Sequence, residues 1–152
     1  MTTERKSLFR PAIFGLGDGC MSIVGVILYL LGDQHLIVAT AFSGALSAAL
    51  SMAGNEYLSD SDNGLWPSMV MGVATCAGGV LPALPFIFWH GALALAIMGF
   101  ICLVIGVVVG WMRGRECEKH TMLQEIGGTL IVFGIIFACV IGVAIGWPVP
   151  AG

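Results

Sequence analysis

Five long apolar stretches separated by short polar segments dominate the pattern of this 152-residue chain. A stretch of about 20 apolar residues is long enough to cross the hydrocarbon core of a bilayer as a helix. The pattern therefore predicts transmembrane helices near residues 12–31, 36–58, 66–88, 91–111 and 126–147. The first stretch is longer than the apolar core of a signal peptide and lacks a small-residue cleavage site, so we interpret it as mature sequence.

Composition supports this interpretation and excludes one class of function. Apolar residues make up 58% of the chain, charged residues only 10%, and the mean hydropathy is +0.98. These values indicate an all-α, polytopic membrane protein, with residues 1–152 forming a single transmembrane domain in contact with the lipid bilayer. The formal net charge of −3 leaves no basic surface for a nucleic acid, so we expect no nucleic-acid partner.

The basic residues predict the orientation of the chain. With five spans, the amino-terminal tail and the loop between the fourth and fifth spans lie on the same side of the membrane. All six basic residues fall in those two segments: Arg5, Lys6, Arg10, Arg113, Arg115 and Lys119. Because basic residues accumulate on the cytoplasmic side, we expect a cytoplasmic amino terminus. The four tryptophans lie at predicted span ends, where indole rings favour the headgroup layer: Trp66, Trp89, Trp111 and Trp147.

Small residues and prolines predict how the spans pack. The second span carries alanines every four residues from Ala41 to Ala53, a face that allows close approach of another helix, so we expect this span to be central. Glycines recur every four residues in Gly106 to Gly114 and again at Gly142 and Gly146. We interpret them as packing within the chain, and a seam between two copies of the chain is the alternative. Pro82 and Pro85 should kink or end the third helix.

Asp18 is the residue with the strongest functional signal, because it is a carboxylate inside the first apolar stretch. A charge at the bilayer centre costs at least about 2.5 to 3.5 kcal/mol, and such residues usually serve a substrate, an ion or a proton. A structural role, with Asp18 protonated or hydrogen-bonded to serines of the second span, is the alternative. Transport is therefore the leading hypothesis.

The end of the second span adds two candidate ligands. Met52 and Glu56 are four residues apart and so share a helix face. Counting from the span centres, Asp18 and Met52 lie at similar depth, with Glu56 nearer the cytoplasmic headgroups. Carboxylate and thioether together suit a transition metal such as Fe(II), and carboxylates exchange protons for metal. Taken singly, Met52 could be a packing residue and Glu56 an interfacial carboxylate.

Other polar segments give weaker signals. The loop from Arg113 to Glu125 contains carboxylates, Cys117 and His120, but no spacing that matches a closed metal site, and we interpret it as a solvated connector. His35 and His90 are expected in outer loops as interfacial residues. The sequence lacks a nucleophile elbow, a phosphate-binding loop and a His-Glu-x-x-His pair, so we predict that the chain is not an enzyme.

Two stretches resemble the vacuolar iron transporter family, whose members move Fe(II) or Mn(II) out of the cytosol. They are Arg10 to Gly25, which reads RPAIFGLGDGCMSIVG, and Ser51 to Ser59, which reads SMAGNEYLS. The Leu-Pro-x-Leu-Pro end of the third span adds to the similarity. The resemblance implies a homodimer of five-helix subunits with a pore on the two-fold axis, where Asp18 and Met52 handle metal and Glu56 matches an acidic position.

The chain departs from the family pattern at two points. Many relatives carry a further carboxylate about two turns before the methionine, where this chain has Ser43 and Gly44. Relatives in eukaryotes also insert a carboxylate-rich helical domain between the second and third helices, whereas this chain has only Ser59 to Gly64. Asp60 and Asp62 could substitute weakly, although a solvated turn is the simpler interpretation.

The sequence and the resemblance together give one hypothesis and two alternatives. We expect a transporter that exports Fe(II), with Mn(II) as a second substrate, by proton antiport, using Asp18, Met52 and Glu56 for metal and Asp18 and Glu56 for protons. The metal is cargo, and no permanently bound cofactor is expected. The alternatives are a proton-coupled exporter of small cations and a non-transporting membrane subunit. The membrane would be the plasma (inner) membrane of a prokaryote or a vacuolar-type membrane of a eukaryote.

Overall fold

The computed structural model describes residues 3–59, 65–116 and 121–146, and these residues form helices without any strand. The helices are α1 (Thr3–Tyr29), α2 (Gln34–Ser59), α3 (Leu65–Ala83), α4 (Pro85–Phe88), α5 (Gly91–Glu116) and α6 (Met122–Gly146). Five segments are long and apolar enough to span a membrane, with α3 and α4 together forming the third. The all-α fold with five spans is therefore confirmed.

The helices extend beyond several of the predicted boundaries. α1 begins at Thr3 and continues through Pro11, and α5 and α6 each continue into the charged segment that joins them. The hydropathy pattern marks only the part of a helix that lies in hydrocarbon, whereas backbone hydrogen bonding continues into the polar layer. The five apolar stretches thus located the spans correctly but underestimated the lengths of four helices: α1, α2, α5 and α6.

The two prolines of the third span act as expected. α3 ends at Ala83, and α4 begins at Pro85, which has no N–H to donate to the preceding turn. Leu84 keeps a right-handed helical conformation, so the break is a local kink rather than a reversal of direction. α5 then begins at Gly91, whose φ of 64° is readily adopted only by glycine.

The central helix of the chain is α3, and the expectation that α2 would be central is wrong. α3 packs along both α1 and α2, and about half of its span is buried, against about a fifth of α2. The alanine face of α2 does pack as predicted: Ala45 and Ala49 lie against glycines of α3. α3 occupies the centre because it has glycines on two faces, one toward each neighbour.

α5 and α6 form an antiparallel pair through the glycine series of α5. A Cβ at Gly110 would lie 2.6 Å from the Cα of Ile126, and one at Gly106 would lie 3.0 Å from the side chain of Leu130. The prediction that these glycines pack within the chain is confirmed. A Cβ at Gly142 or Gly146, by contrast, would meet no atom within 4 Å among the residues that the structure describes, so this second pair makes no close helix contact there.

The amino-terminal end of α2 joins two parts of the helical bundle. The Asp33 side chain accepts a hydrogen bond of 3.2 Å from the backbone N–H of Leu36, as a helix cap does. The Gln34 amide donates to the carbonyl oxygens of Phe86 and Trp89, the latter at 3.1 Å. The turn after α1 is therefore tied to the segment between α4 and α5.

Two neighbouring glycines of α1 provide a test of this packing. A methyl group at Gly19 would collide with the carbonyl of Thr75 on α3, whereas one at Gly17 would meet no atom within 4 Å. We expect Gly19→Ala to destabilise the fold by about 1 to 3 kcal/mol, as overpacking does. Gly17→Ala, the matched control, should leave stability unchanged or slightly higher. Thermal unfolding of the purified protein in detergent measures both, and equal midpoints would contradict the α1/α3 contact.

Candidate functional site: a cavity beside Asp18

The orientation of Asp18 is set by the opposite side of its own helix. Gly15 and Gly19 of α1 face α3 so closely that a Cβ at Gly15 would lie 2.5 Å from the carbonyl oxygen of Met71. Thr75 of α3, buried at this contact, donates its hydroxyl to the same Met71 oxygen at 2.8 Å. Because the two backbones touch, α1 cannot rotate about its axis without a clash. Asp18, on a different face from these glycines, is held away from α3.

Asp18 lines a cavity of about 220 Å³ between α1, α5 and α6, which we call the Asp18 cavity. Its walls are mostly apolar, and the charged side chains among them are Asp18 and Arg113. The lining residues are Ile13, Phe14, Gly17, Asp18, Met21, Val109, Arg113, Thr129, Val132 and Phe133. Asp18 belongs to a membrane-spanning helix and is half-buried. Its carboxylate thus faces a space large enough for a hydrated cation.

Arg113 is part of an ion pair at the edge of this cavity. Its Nε lies 3.4 Å from Oε2 of Glu125 on α6, and Arg113 is half exposed while Glu125 is only 14% exposed. Thr129, one turn further along α6, donates its hydroxyl to the Glu125 carbonyl at 2.8 Å. The ends of α5 and α6 that flank the Asp18 cavity are therefore joined by a charged contact.

Met52 and Glu56 lie on the inward side of α2, in register with its buried alanines, and both are half-buried. Gly79 of α3 contacts both Ala45 of α2 and Ile23 of α1, which sets a common level for the antiparallel helices α1 and α2. Counting 1.5 Å per residue from that level, Asp18 and Met52 differ in depth by about 3 Å. This depth agrees with the one expected from the sequence.

Within one chain, Met52 and Glu56 do not line the Asp18 cavity. The cavity is lined by α1, α5 and α6, and neither α2 residue belongs to its lining. A site that uses all three residues therefore stays a prediction. Among the described residues, no group of three or more His, Cys, Asp and Glu side chains is close enough to hold a metal ion.

Several other sequence candidates can be located. His35 near the start of α2 and His90 before α5 are both exposed. Asp60, Asp62, Cys117, Glu118 and His120 lie outside the described residues. Of the other two loop carboxylates, Glu116 is the last residue of α5, and Glu125 forms the ion pair described above.

Two relations between α5 and α1, the helix that carries Asp18, were not predicted from the sequence. Arg113 was interpreted only as an orientation signal, yet it shares a cavity with Asp18. Cys102 lies 3.7 Å from Cys20 of α1, sulfur to sulfur, with both thiols buried. The glycine series of α5 was the available signal, because it predicts close antiparallel pairing across the loop and thereby places Arg113 near Glu125.

A second cavity continues along α1 and α6, away from Arg113. It has a volume of about 480 Å³ and is lined on α1 by Ser22, Gly25, Val26 and Tyr29 and on α6 by Cys139, Val140 and Val143. Ser22 is exposed, whereas Gly19 packs on α3. Gly19 and Ser22 are both close to Asp18 in the sequence, and of the two only Ser22 has a surface that a second molecule could contact.

One comparison with known proteins gives a match in the region of these candidate residues. The sequence model of the VIT family matches residues 9–66, which include Asp18, Met52 and Glu56 but not α5 or α6. No curated protein and no solved structure matches the chain. The match shows that the first two membrane-spanning helices are similar in sequence to the VIT family, and the five apolar helices indicate an integral membrane protein.

Proposed function

We propose, from the similarity of residues 9–66 to the VIT family, that this chain exports Fe(II) from the cytoplasm in exchange for protons. Mn(II), which accepts similar ligands, is the second substrate. The observation that carries the proposal is the position of Asp18. This half-buried carboxylate belongs to a membrane-spanning helix and faces a cavity between α1, α5 and α6. Such a group binds a cation when ionised and carries a proton when neutral.

Met52 and Glu56 complete the proposed path. Met52 supplies a thioether at nearly the depth of Asp18, and Glu56 lies one turn nearer the end of α2, where an entering cation would meet it first. A hard carboxylate with a softer sulfur favours a transition metal over magnesium or calcium. In this scheme Asp18 and Glu56 also carry the protons that move in the opposite direction.

The proposed active unit is a homodimer. One chain offers too few ligands around Asp18, and two copies of Asp18 and Met52 facing each other across a two-fold axis would supply four protein ligands. The exposed side of α1, which carries Phe14 and Ser22 beside Asp18, is the surface proposed to face the partner copy. Water would complete the coordination shell.

The direction of transport follows from the proposed orientation. If the amino terminus is cytoplasmic, as the basic residues favour, the end of α2 that holds Glu56 opens to the cytoplasm. Asp60 and Asp62 follow it in the sequence on the same side. Cations would then load from the cytoplasm.

The first prediction concerns Asp18→Asn, which keeps the size of the side chain but removes its charge and its proton site. In proteoliposomes with a pH gradient, we expect the unaltered chain to move Fe(II) and Asp18→Asn to fall to background flux while remaining folded. The matched control is Asp33→Asn, since Asp33 caps α2 in a turn outside the spans and an amide oxygen can still accept its hydrogen bond.

The outcomes of this flux measurement separate the alternatives. If Asp18→Asn transports metal as well as the unaltered chain does, the proposed mechanism is wrong. If the unaltered chain moves an organic cation but no metal, it is a small-cation exporter. If it moves neither, it is a non-transporting membrane subunit.

The second prediction concerns the sulfur of Met52. Met52→Leu preserves volume but removes the thioether, and losing about 1.4 kcal/mol of metal binding would lower affinity about tenfold. We expect this loss for Fe(II) and a smaller one for Mn(II), which relies less on sulfur ligands. Met69→Leu, at an exposed position of α3, is the control and should change neither. Equal losses for both metals would indicate that Met52 only packs.

The third prediction concerns the dimer. In a variant whose native cysteines are replaced, Ser22→Cys should form a disulfide between two chains, because Ser22 is exposed on the side of α1 proposed to face the partner. Leu103→Cys, exposed on α5, is the control and should not crosslink. Non-reducing gels of oxidised membranes read out both. Full transport activity of monomers isolated in nanodiscs would contradict the proposal.

A further inference from the structure

We propose that Arg113 is a built-in counter-ion that competes with the transported cation for Asp18, and that Glu125 restrains it. This inference rests on the proposed function, because it assigns a role at the same site. It concerns α5 and α6, which lie outside the family match. The observation behind it is that Asp18 and Arg113 line one cavity although they are far apart in sequence.

The size of the cavity makes the two charges interact. A sphere with the volume of this cavity, 220 Å³, would be about 7 Å across, a distance at which unit charges interact appreciably where apolar walls limit screening by water. Among the residues that the structure describes, the other side chains that line it are uncharged, and Glu125 pairs with Arg113 from outside this lining. A divalent cation that approaches Asp18 therefore also approaches the positive charge of Arg113.

Arginine is suited to this role because its charge is permanent. The guanidinium has five N–H donors, and its Nε lies 3.4 Å from Oε2 of Glu125. The two terminal NH₂ groups carry the other four donors and can bind a second carboxylate. Arg113 can thus associate with Asp18 when no metal is bound and withdraw when a cation displaces it.

Glu125 restrains Arg113 from the α6 side. The carboxylate is mostly buried, and the helix turn that carries it is fixed by the hydrogen bond from Thr129 to its carbonyl. A contact to Glu125 draws the guanidinium away from Asp18 and partly neutralises it. Loss of Glu125 should therefore strengthen the competition, whereas loss of Arg113 should remove it, so the two changes are expected to act in opposite directions.

The chain provides a matched control two residues away. Arg115 is also near the end of α5, but its guanidinium stacks over the ring of Trp111 at 4.0 Å and does not line the Asp18 cavity. Arg115→Gln removes the same charge from the same end of the same helix. An effect limited to Arg113 therefore cannot come from the general potential at the membrane surface.

The test is the concentration dependence of Fe(II) flux into proteoliposomes, with KM and kcat measured separately. We expect Arg113→Gln to lower KM by about threefold or more, because a competing charge has been removed. Glu125→Gln should raise KM, and Arg115→Gln should leave KM unchanged. Arg113→Lys, which keeps the charge but loses the planar fork, should lie nearer the unaltered chain than Arg113→Gln does.

Three outcomes would overturn the inference. Arg113→Gln could behave like Arg115→Gln, or Arg113→Gln and Glu125→Gln could change KM in the same direction, as a purely structural ion pair would. The double variant Arg113→Gln with Glu125→Gln has the same net charge as the unaltered chain. If the KM of this double variant is no lower than that of the unaltered chain, the inference about Arg113 is also contradicted. Absence of Fe(II) flux in the unaltered chain would instead refute the proposed function itself.

Discussion

The backbone contact between α1 and α3 is the constraint on which the rest of the structure depends. In lipid there is little hydrophobic gain from bringing two apolar helices together, so close packing and the contacts it allows must hold them. Gly15 and Gly19 of α1 and Gly78 of α3 remove the side chains that would separate the two helices. A Cβ at Gly78 would collide with the carbonyl oxygen of Leu16, which shows how little space remains.

This contact also determines where the polar groups of α1 face. Once the glycine side is fixed against α3, the side that carries Asp18 is directed toward α5 and α6. A carboxylate in that position is costly in hydrocarbon, and Asp18 shares its cavity with the charged side chain of Arg113. The close backbone contact of α1 with α3 thus supports the helix that carries Asp18, because a rigid support holds a charged group in one orientation.

Much of the fold could be predicted from the sequence because its signals are local. Apolar length located the five spans, and the missing N–H of Pro85 located the kink between α3 and α4. The glycine series of α5 predicted packing within the chain, since small residues at four-residue spacing form one helix face. Helix ends were predicted less well, because polar residues such as Arg113 and Glu125 continue a helix after hydropathy has fallen.

The sequence by itself determined that Asp18 lies inside a span and that Met52 lies at nearly its depth, since both follow from counting residues along a helix. Only the tertiary structure decided that α3 is central and that Arg113, rather than Met52, shares the cavity of Asp18. Helical periodicity defines which residues share a face, but not which helix that face meets. That choice depends on how all the helices pack together: α1 is fixed on α3 by glycines, the antiparallel pair α5 and α6 contacts another part of α1, and Phe14 and Ser22 stay exposed.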